Sequence, residues 1–370
     1  MKTLLKAGCL VFSCGCAATE GQPRFIPIGD VPGGLTLGVA AAVSADGTFV
    51  AGEGRPPEST LDSFRWSEAH GMEVLPGLPD GSFYDAVDIS PSGKYVVGRY
   101  TNSVASGALS YIWSPADGMT SIGPLPGQGT PTRINAVSDA GVAVGASSIG
   151  RTGTGVSLNR AVRWSDAGGL EMLPMPSPAD ESQQSNAFDV LADGRIFGES
   201  ASGRWLYSEA TGFEMFSPEA SLERINSDGT FLAGNDRDGE IYDIRAAYWT
   251  EDTGRKFLDP FIDNGERYGI NGMSDDGSVI IGEQNTVGFL IWIDLGPPVR
   301  FEDYLESLKI DLEGRSILRL TGVSADGSTI IGVAGEPGVG SIAFAVVIPA
   351  PGTLPVALVG VLALRRRRPA

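Results

Sequence analysis

A single histidine, His70, is present among 370 residues, so proton relay of the Ser-His-Asp kind has only one imidazole to use. His70 stands in the turn Glu68-Ala69-His70-Gly71, at the place that Asp117 and Gly168 take in equivalent turns, which reads as a solvated turn residue. The three cysteines, Cys9, Cys14 and Cys16, all lie near the start, so a chain cut beyond them holds neither a disulfide nor a Cys/His zinc site. For calcium, the alternation in Asp236-Arg237-Asp238-Gly239-Glu240 lets Asp236, Asp238 and Glu240 converge on one oxygen-seeking cation. The run does not continue as an EF-hand loop, because Gly234 and Arg245 fall where acids are needed, and a hydrophilic loop is the simpler reading. Gly150-Arg151-Thr152-Gly153-Thr154-Gly155 is glycine-rich, yet no Lys-Ser/Thr follows and no helix opens there, so no phosphate cradle is expected. Acid/base chemistry through paired carboxylates needs only proximity, and 45 acidic residues supply it without singling out any pair. No catalytic residue is assigned, and calcium is the one cofactor the sequence leaves open.

The elements that would position such groups are legible in a repeat. Seven turns punctuate the chain: Ser44-Ala45-Asp46-Gly47, Ser90-Pro91-Ser92-Gly93, Ser138-Asp139-Ala140-Gly141, Leu191-Ala192-Asp193-Gly194, Asn226-Ser227-Asp228-Gly229, Ser274-Asp275-Asp276-Gly277 and Ser324-Ala325-Asp326-Gly327. Their closing glycines are 46, 48, 53, 35, 48 and 50 residues apart, the spacing of propeller blades of about four strands each. Each turn joins two apolar runs, as in Val39-Ala40-Ala41-Ala42-Val43 and Thr48-Phe49-Val50-Ala51-Gly52, and Asp-Gly at the connection predicts a type I′ hairpin turn. A second hairpin follows, with an aromatic strand (Trp66, Trp113, Trp164, Trp249, Trp292, and Trp205 two positions early) expected to fill the space between blades.

In the last unit the fourth strand is missing after Ile348-Pro349, while Arg24-Phe25-Ile26-Pro27-Ile28-Gly29 near the N-terminus matches the fourth-strand segments elsewhere. The expected fold is therefore an all-β, seven-bladed β-propeller of four-stranded blades over residues 24–348, closed by its N-terminal strand. Insertions concentrate in the connections between second and third strands and between blades, which share one face, the usual place for binding. The spacing of apolar residues over 301–308 predicts a short helix on that side.

The pattern of apolar strand, Ser-Ala-Asp-Gly, Val-Ala-Gly or Ile-Ile-Gly, then Arg-Trp-Ser and Gly-Leu-Glu-Met-Leu resembles the HAF family of bacterial extracellular repeats over nearly the whole mature chain. The resemblance implies a secreted, propeller-like protein with no assigned activity. The His-Ala-Phe triplet itself has no match; Arg65, Ala161 and Arg163 occupy its neighbourhood loosely.

Both ends carry address-like segments. Residues 1–18, with Lys2 and Lys6 before a largely apolar or small run, fit a secretory signal, and Val11-Phe12-Ser13-Cys14 loosely resembles a lipoprotein box that would leave Cys14 lipidated. Residues 349–370 run from Pro349-Ala350-Pro351 through a short apolar stretch, 354–364, to Arg365, Arg366, Arg367 and Arg368. That stretch is short for a stable span, which suits a transient anchor held by the positive-inside bias. The order is similar to a PEP-CTERM sorting tail handled by exosortases, with Pro-Ala-Pro in place of Pro-Glu-Pro. The resemblance implies partners in the secretion machinery and an exosortase-like processing enzyme.

The net charge is −18; without the two leader lysines and the four tail arginines the 27 basic residues fall to 21 against 45 acidic ones. Such a surface disfavours nucleic acid and anionic lipid. The sequence thus points to a secreted, cell-surface binding or scaffold module, non-catalytic, whose partner is an extracellular polysaccharide or a surface protein. The rival reading is a polysaccharide hydrolase or lyase working through loop-face carboxylates.

Overall fold

The computed structural model describes residues 22–349 apart from 35–36, 58–60, 103–107, 128–131, 152–156, 178–183, 217–221, 238–243, 262–266 and 339. The expected signal segment with Cys14, the tail from Ala350 and Pro351 to the arginines Arg365, Arg366, Arg367 and Arg368, and the candidate calcium residues Asp238 and Glu240 lie outside the described residues.

Seven four-stranded antiparallel sheets form a β-propeller. In the first blade the strands, from axis to rim, are Val39–Val43, Phe49–Gly54, Asp62–Ser67 and Gly71–Val74, here termed A to D. The A strands of the next five blades are Gly81–Ile89, Thr132–Val137, Ser185–Val190, Arg224–Ile225 and Tyr268–Met273. The seventh blade is built from both ends of the chain, with Ser316–Val323, Thr329–Glu336 and Gly340–Val347 completed by Arg24–Gly29. Arg24 pairs with Val347 and Phe25 with Val346, the closure expected from the sequence. A ring sealed in this way leaves no terminal edge strand at the seam.

The A–B turns differ from the expected type I′ geometry. That type needs positive φ at both central residues, whereas in the first turn Gly47 (φ +71°) alone has it and Asp46 does not. The amide of Gly47 donates to Ser44 O at 3.0 Å, and the Asp side chain holds the rest: Ser44 Oγ donates to Asp46 Oδ1 at 2.8 Å and the Thr48 amide donates to the same oxygen at 2.9 Å. Ser44 Oγ then accepts the Phe49 amide at 2.9 Å. The arrangement recurs at Ser274/Asp276 and Ser324/Asp326, so these aspartates serve turn chemistry. The turns also link blades. Ser92 donates from its amide and Oγ to Asp139 at 2.9 and 2.6 Å, and Ser227 likewise reaches Asp275.

The aromatic strands pack as expected. Trp113 of the second blade lies in a cluster with Ala51 and Leu75 of the first, Trp249 meets Phe216 of the preceding blade edge-on at 5.3 Å, and Trp292 is fully buried against Phe231. Rings of this size bury enough apolar area to dominate the contact between neighbouring sheets. The helix α1, Phe301–Ser307, buries Phe301, Tyr304 and Leu305 in a cluster with Ile317, Phe344 and Val346, so it fills the wedge between the sixth and seventh blades.

One feature of the strands sets the bore of the ring. In six A strands the register slips by one residue, as between Ala40 and Ala42 or Ala86 and Asp88. Opposite each slip stands the B-strand glycine of the repeat; a Cβ on Gly98 would overlap the carbonyl oxygen of Asp85 and the ring of Tyr111. The bulge bends the innermost strand and re-aims its side chains toward the axis.

Candidate binding site at the mouth of the central tunnel

Two positions before each A–B turn the chain places one residue per blade at the same level of the axis: Ala42, Asp88, Ala136, Asp189, Arg224, Gly272 and Gly322. Four are Ala or Gly, which leaves room for the three charged side chains. The level above, which in six blades is the bulge, holds Ala41, Val87, Asn135, Phe188, Glu223, Asn271 and Thr321. Together they line a central tunnel of about 330 Å³, and a further chamber of about 190 Å³ that shares Asp88, Asp189 and Met273 continues toward the A–B turns.

Asp88 and Asp189 line both of these spaces and are half-buried. Burial, and then the charge of Asp189, push the Asp88 carboxyl up to about 7 against the hydrogen bonds it accepts from the Val137 and Ile89 amides. Burial pushes Asp189 up to about 6, opposed by the Val190 amide and by the charge of Arg224. Arg224 donates from Nε to Ile270 O of the next blade at 3.4 Å. Other polar side chains on the bore stitch blades together: Asn135 Nδ2 donates to Ala187 O and Thr321 Oγ1 to Ala40 O, both at 2.7 Å.

On the face of the B–C loops the tunnel opens into a basin of about 620 Å³ over the second, third and fourth blades. Asn135 and Phe188 belong to both spaces and mark the passage between them. The basin is lined by Arg99, Ala108, Thr132, Arg133, Asn135, Ala146, Ser148, Asn159, Asn186 and Phe188. Arg99 is held in a fork by Asp85, with Nε at 3.2 Å from Oδ1 and Nη2 at 2.5 Å from Oδ2. Asn186 Nδ2 donates to Glu199 Oε1 at 3.2 Å, and Glu199 in turn pairs with Arg204, whose guanidinium lies 4.9 Å over the Phe188 ring. Arg133 is exposed as the second residue of its A strand, and Asn159 sits half-buried on the C strand opposite Ser148. No carboxylate, histidine or tyrosine is among these lining residues.

Beside the basin, Glu53 on the first blade is half-buried. Burial and then the Asp85 charge push its carboxyl up to about 7, with Arg99 and Arg319 pulling the other way. Phe83, in the neighbouring wide bulge between Ser82 and Asp85, is held at φ +54° with about half of its surface (49%) exposed, an unusual conformation for a bulky residue.

The described residues among those singled out from sequence fall elsewhere. His70 is exposed in a C–D turn on the face away from the basin, with Nδ1 3.1 Å from Ser67 Oγ. Asp236 is buried and pairs with Arg255 at 3.0 Å while accepting the Arg237 amide at 2.7 Å. Among the described residues no group of three or more His, Cys, Asp or Glu is placed to hold a metal ion. Gly150 and Arg151 end a B strand, and Pro349 follows the last C strand. The basin and tunnel residues went unrecognised in the sequence, although charge at a level otherwise filled by Ala and Gly is a signal that superposing the repeats exposes.

No protein-family model matches the chain, and no curated protein matches it either. Solved structures do. A prolyl endopeptidase structure aligns with a TM-score of 0.54 at 12% identity, over 85% of this chain and 50% of that one. An oligogalacturonate lyase in complex with manganese aligns at 0.52 and 14%, over 91% of this chain and 97% of that one. TolB from Acinetobacter baumannii aligns at 0.41 and 12%, over 86% and 66%. The first two alignments show a shared propeller fold. Among the described residues no helix is long and apolar enough to cross a membrane.

Proposed function

We propose that this protein is a secreted, surface-sorted propeller that binds an extracellular polysaccharide through the basin at the tunnel mouth and performs no chemistry on it. The observation that carries the reading is the basin's lining: amides, hydroxyls and guanidiniums converge on about 620 Å³ of open space, with no carboxylate or histidine among the described lining residues. Such groups suit a polyhydroxylated ligand, which needs many hydrogen bonds and little apolar surface. The HAF-like repeat and the leader and tail segments support export and display at the cell surface, with PEP-CTERM-like sorting by an exosortase as the expected route. Because the ring is closed by its own N-terminal strand, the blades give the loops a fixed scaffold.

A second reading, cleavage of the polysaccharide by a hydrolase or lyase step, is favoured by Glu53, whose carboxyl stands near 7 beside Asp85 and close to the basin. One experiment separates the two. The full-length protein is incubated with matrix glycans of the producing cell, and both retained glycan and released oligosaccharide are measured. Retention with no release supports the binding module; release that disappears in Glu53→Gln replaces it with the enzyme.

A further inference from the structure

The chemical class of the ligand follows from Arg133, and this inference rests on the basin being the binding site. Arg133 is exposed in the basin wall and, among the described residues, makes neither an ion pair nor a side-chain hydrogen bond, in a chain whose net charge is −18. Three arginines of the loop face have taken an acid: Arg99 pairs with Asp85, Arg204 with Glu199 and Arg315 with Glu336. Arg133 has a planar fork of donors at open space, and no acid is among the described residues that line the basin. Asn159 lines the same basin and, among the described residues, likewise makes no side-chain hydrogen bond. We infer that the basin selects a carboxylate-bearing saccharide, a uronate segment whose carboxylate takes the Arg133 fork while its hydroxyls take Asn159 and the amides and hydroxyls around it.

A guanidinium fork matches a carboxylate in a bidentate pair, which fixes orientation as well as charge. The neutral groups around it match sugar hydroxyls. The acidic surface beyond the basin disfavours a long polyanion such as nucleic acid, so the ligand presents its charges one at a time at the basin or carries them sparsely along the chain.

The test uses the full-length protein in titration calorimetry with three probes of uronate class, short oligomers of alginate, glucuronan and galacturonan, and with the methyl ester of each. The inference predicts binding of at least one free acid, weakened roughly tenfold or more by esterification. Arg133→Ala should weaken the acid by a similar factor and leave the ester unchanged, and Arg133→Lys should recover part of the loss. His70→Ala, on the opposite face, serves as the control and should bind as the parent does. Equal affinity for acid and ester, or no effect of Arg133→Ala, overturns the carboxylate assignment while a glycan still bound leaves the binding module standing. Binding of none of the probes also overturns the assignment, and shortening of any oligomer overturns the non-catalytic reading instead.

Discussion

The ring of Phe25 stacks on the ring of Phe344, with centroids 5.2 Å apart and planes 24° from parallel, and so the two ends of the chain meet in one apolar contact. Phe344 is fully buried and Phe25 half-buried in the cluster that also holds helix α1. Replacing Phe344 with Ala should cost about 3–5 kcal/mol, and Phe25→Ala less, because part of that ring already meets water. Urea midpoints measure both; an unchanged midpoint for Phe344→Ala would show that the seam contributes nothing to stability.

The B-strand glycine opposite each A-strand bulge should tolerate no side chain. Gly98→Ala places a methyl group against the Asp85 carbonyl and the Tyr111 ring, so the strand must shift and the bore with it. The expected loss is on the order of 3 kcal/mol or more, read from thermal unfolding. Gly118→Ala makes a useful contrast, since open space surrounds Gly118 and its φ of +70° leaves only local backbone strain.

Much of this architecture is legible in the order of residues. The turn spacing gives seven blades, the displaced strand at 24–29 gives the closure, and the recurring tryptophans give the packing between sheets. These features are written within one repeat or at its edges. The turn departs from the type I′ expectation because Asp46 acts through its side chain, accepting Ser44 Oγ and the Thr48 amide, rather than by adopting positive φ. The bulges are not legible because a one-residue slip leaves no common mark in strands as different as Val39–Val43 and Ser185–Val190. The basin is harder still to see, since Arg99, Arg133, Asn159 and Asn186 come from three blades and share no motif.

Acid should loosen the ring through its turns. Burial raises the Asp276 carboxyl, but hydrogen bonds from Ser278 and Ser274 outweigh it and hold the group below its ordinary value. A lowered carboxyl contributes stability that is present above the unfolded value of about 4 and is lost as pH falls through the folded one. Asp276→Ala should cost about 1–2 kcal/mol near pH 7 and progressively less as pH drops below about 4. Thermal midpoints of the parent and the variant across that range test it, and parallel curves would contradict it.

The tunnel should respond in the opposite sense. Asp88 stands at about 7, raised from an unfolded value near 4, so it favours the folded ring below about 4 and withdraws that support as pH rises through 7. Asp88→Asn keeps an oxygen to accept the Val137 amide, 2.9 Å from Oδ2 in the parent, and removes the charge facing Asp189. Its melting temperature should exceed that of the parent by a few degrees at pH 8, and the gap should shrink steadily as pH falls toward 4. A constant difference across pH would mean that the carboxyl does not titrate in this window.

The seat of the ligand is the claim on which the functional account stands, and a crystal structure of the full-length protein grown with a short uronate oligomer tests it most directly. The account predicts sugar density in the basin of the second to fourth blades, with a carboxylate in the fork of Arg133 and hydroxyls against Asn159. An oligomer bound instead at the rim or on the turn face, with the basin holding only water, would contradict it.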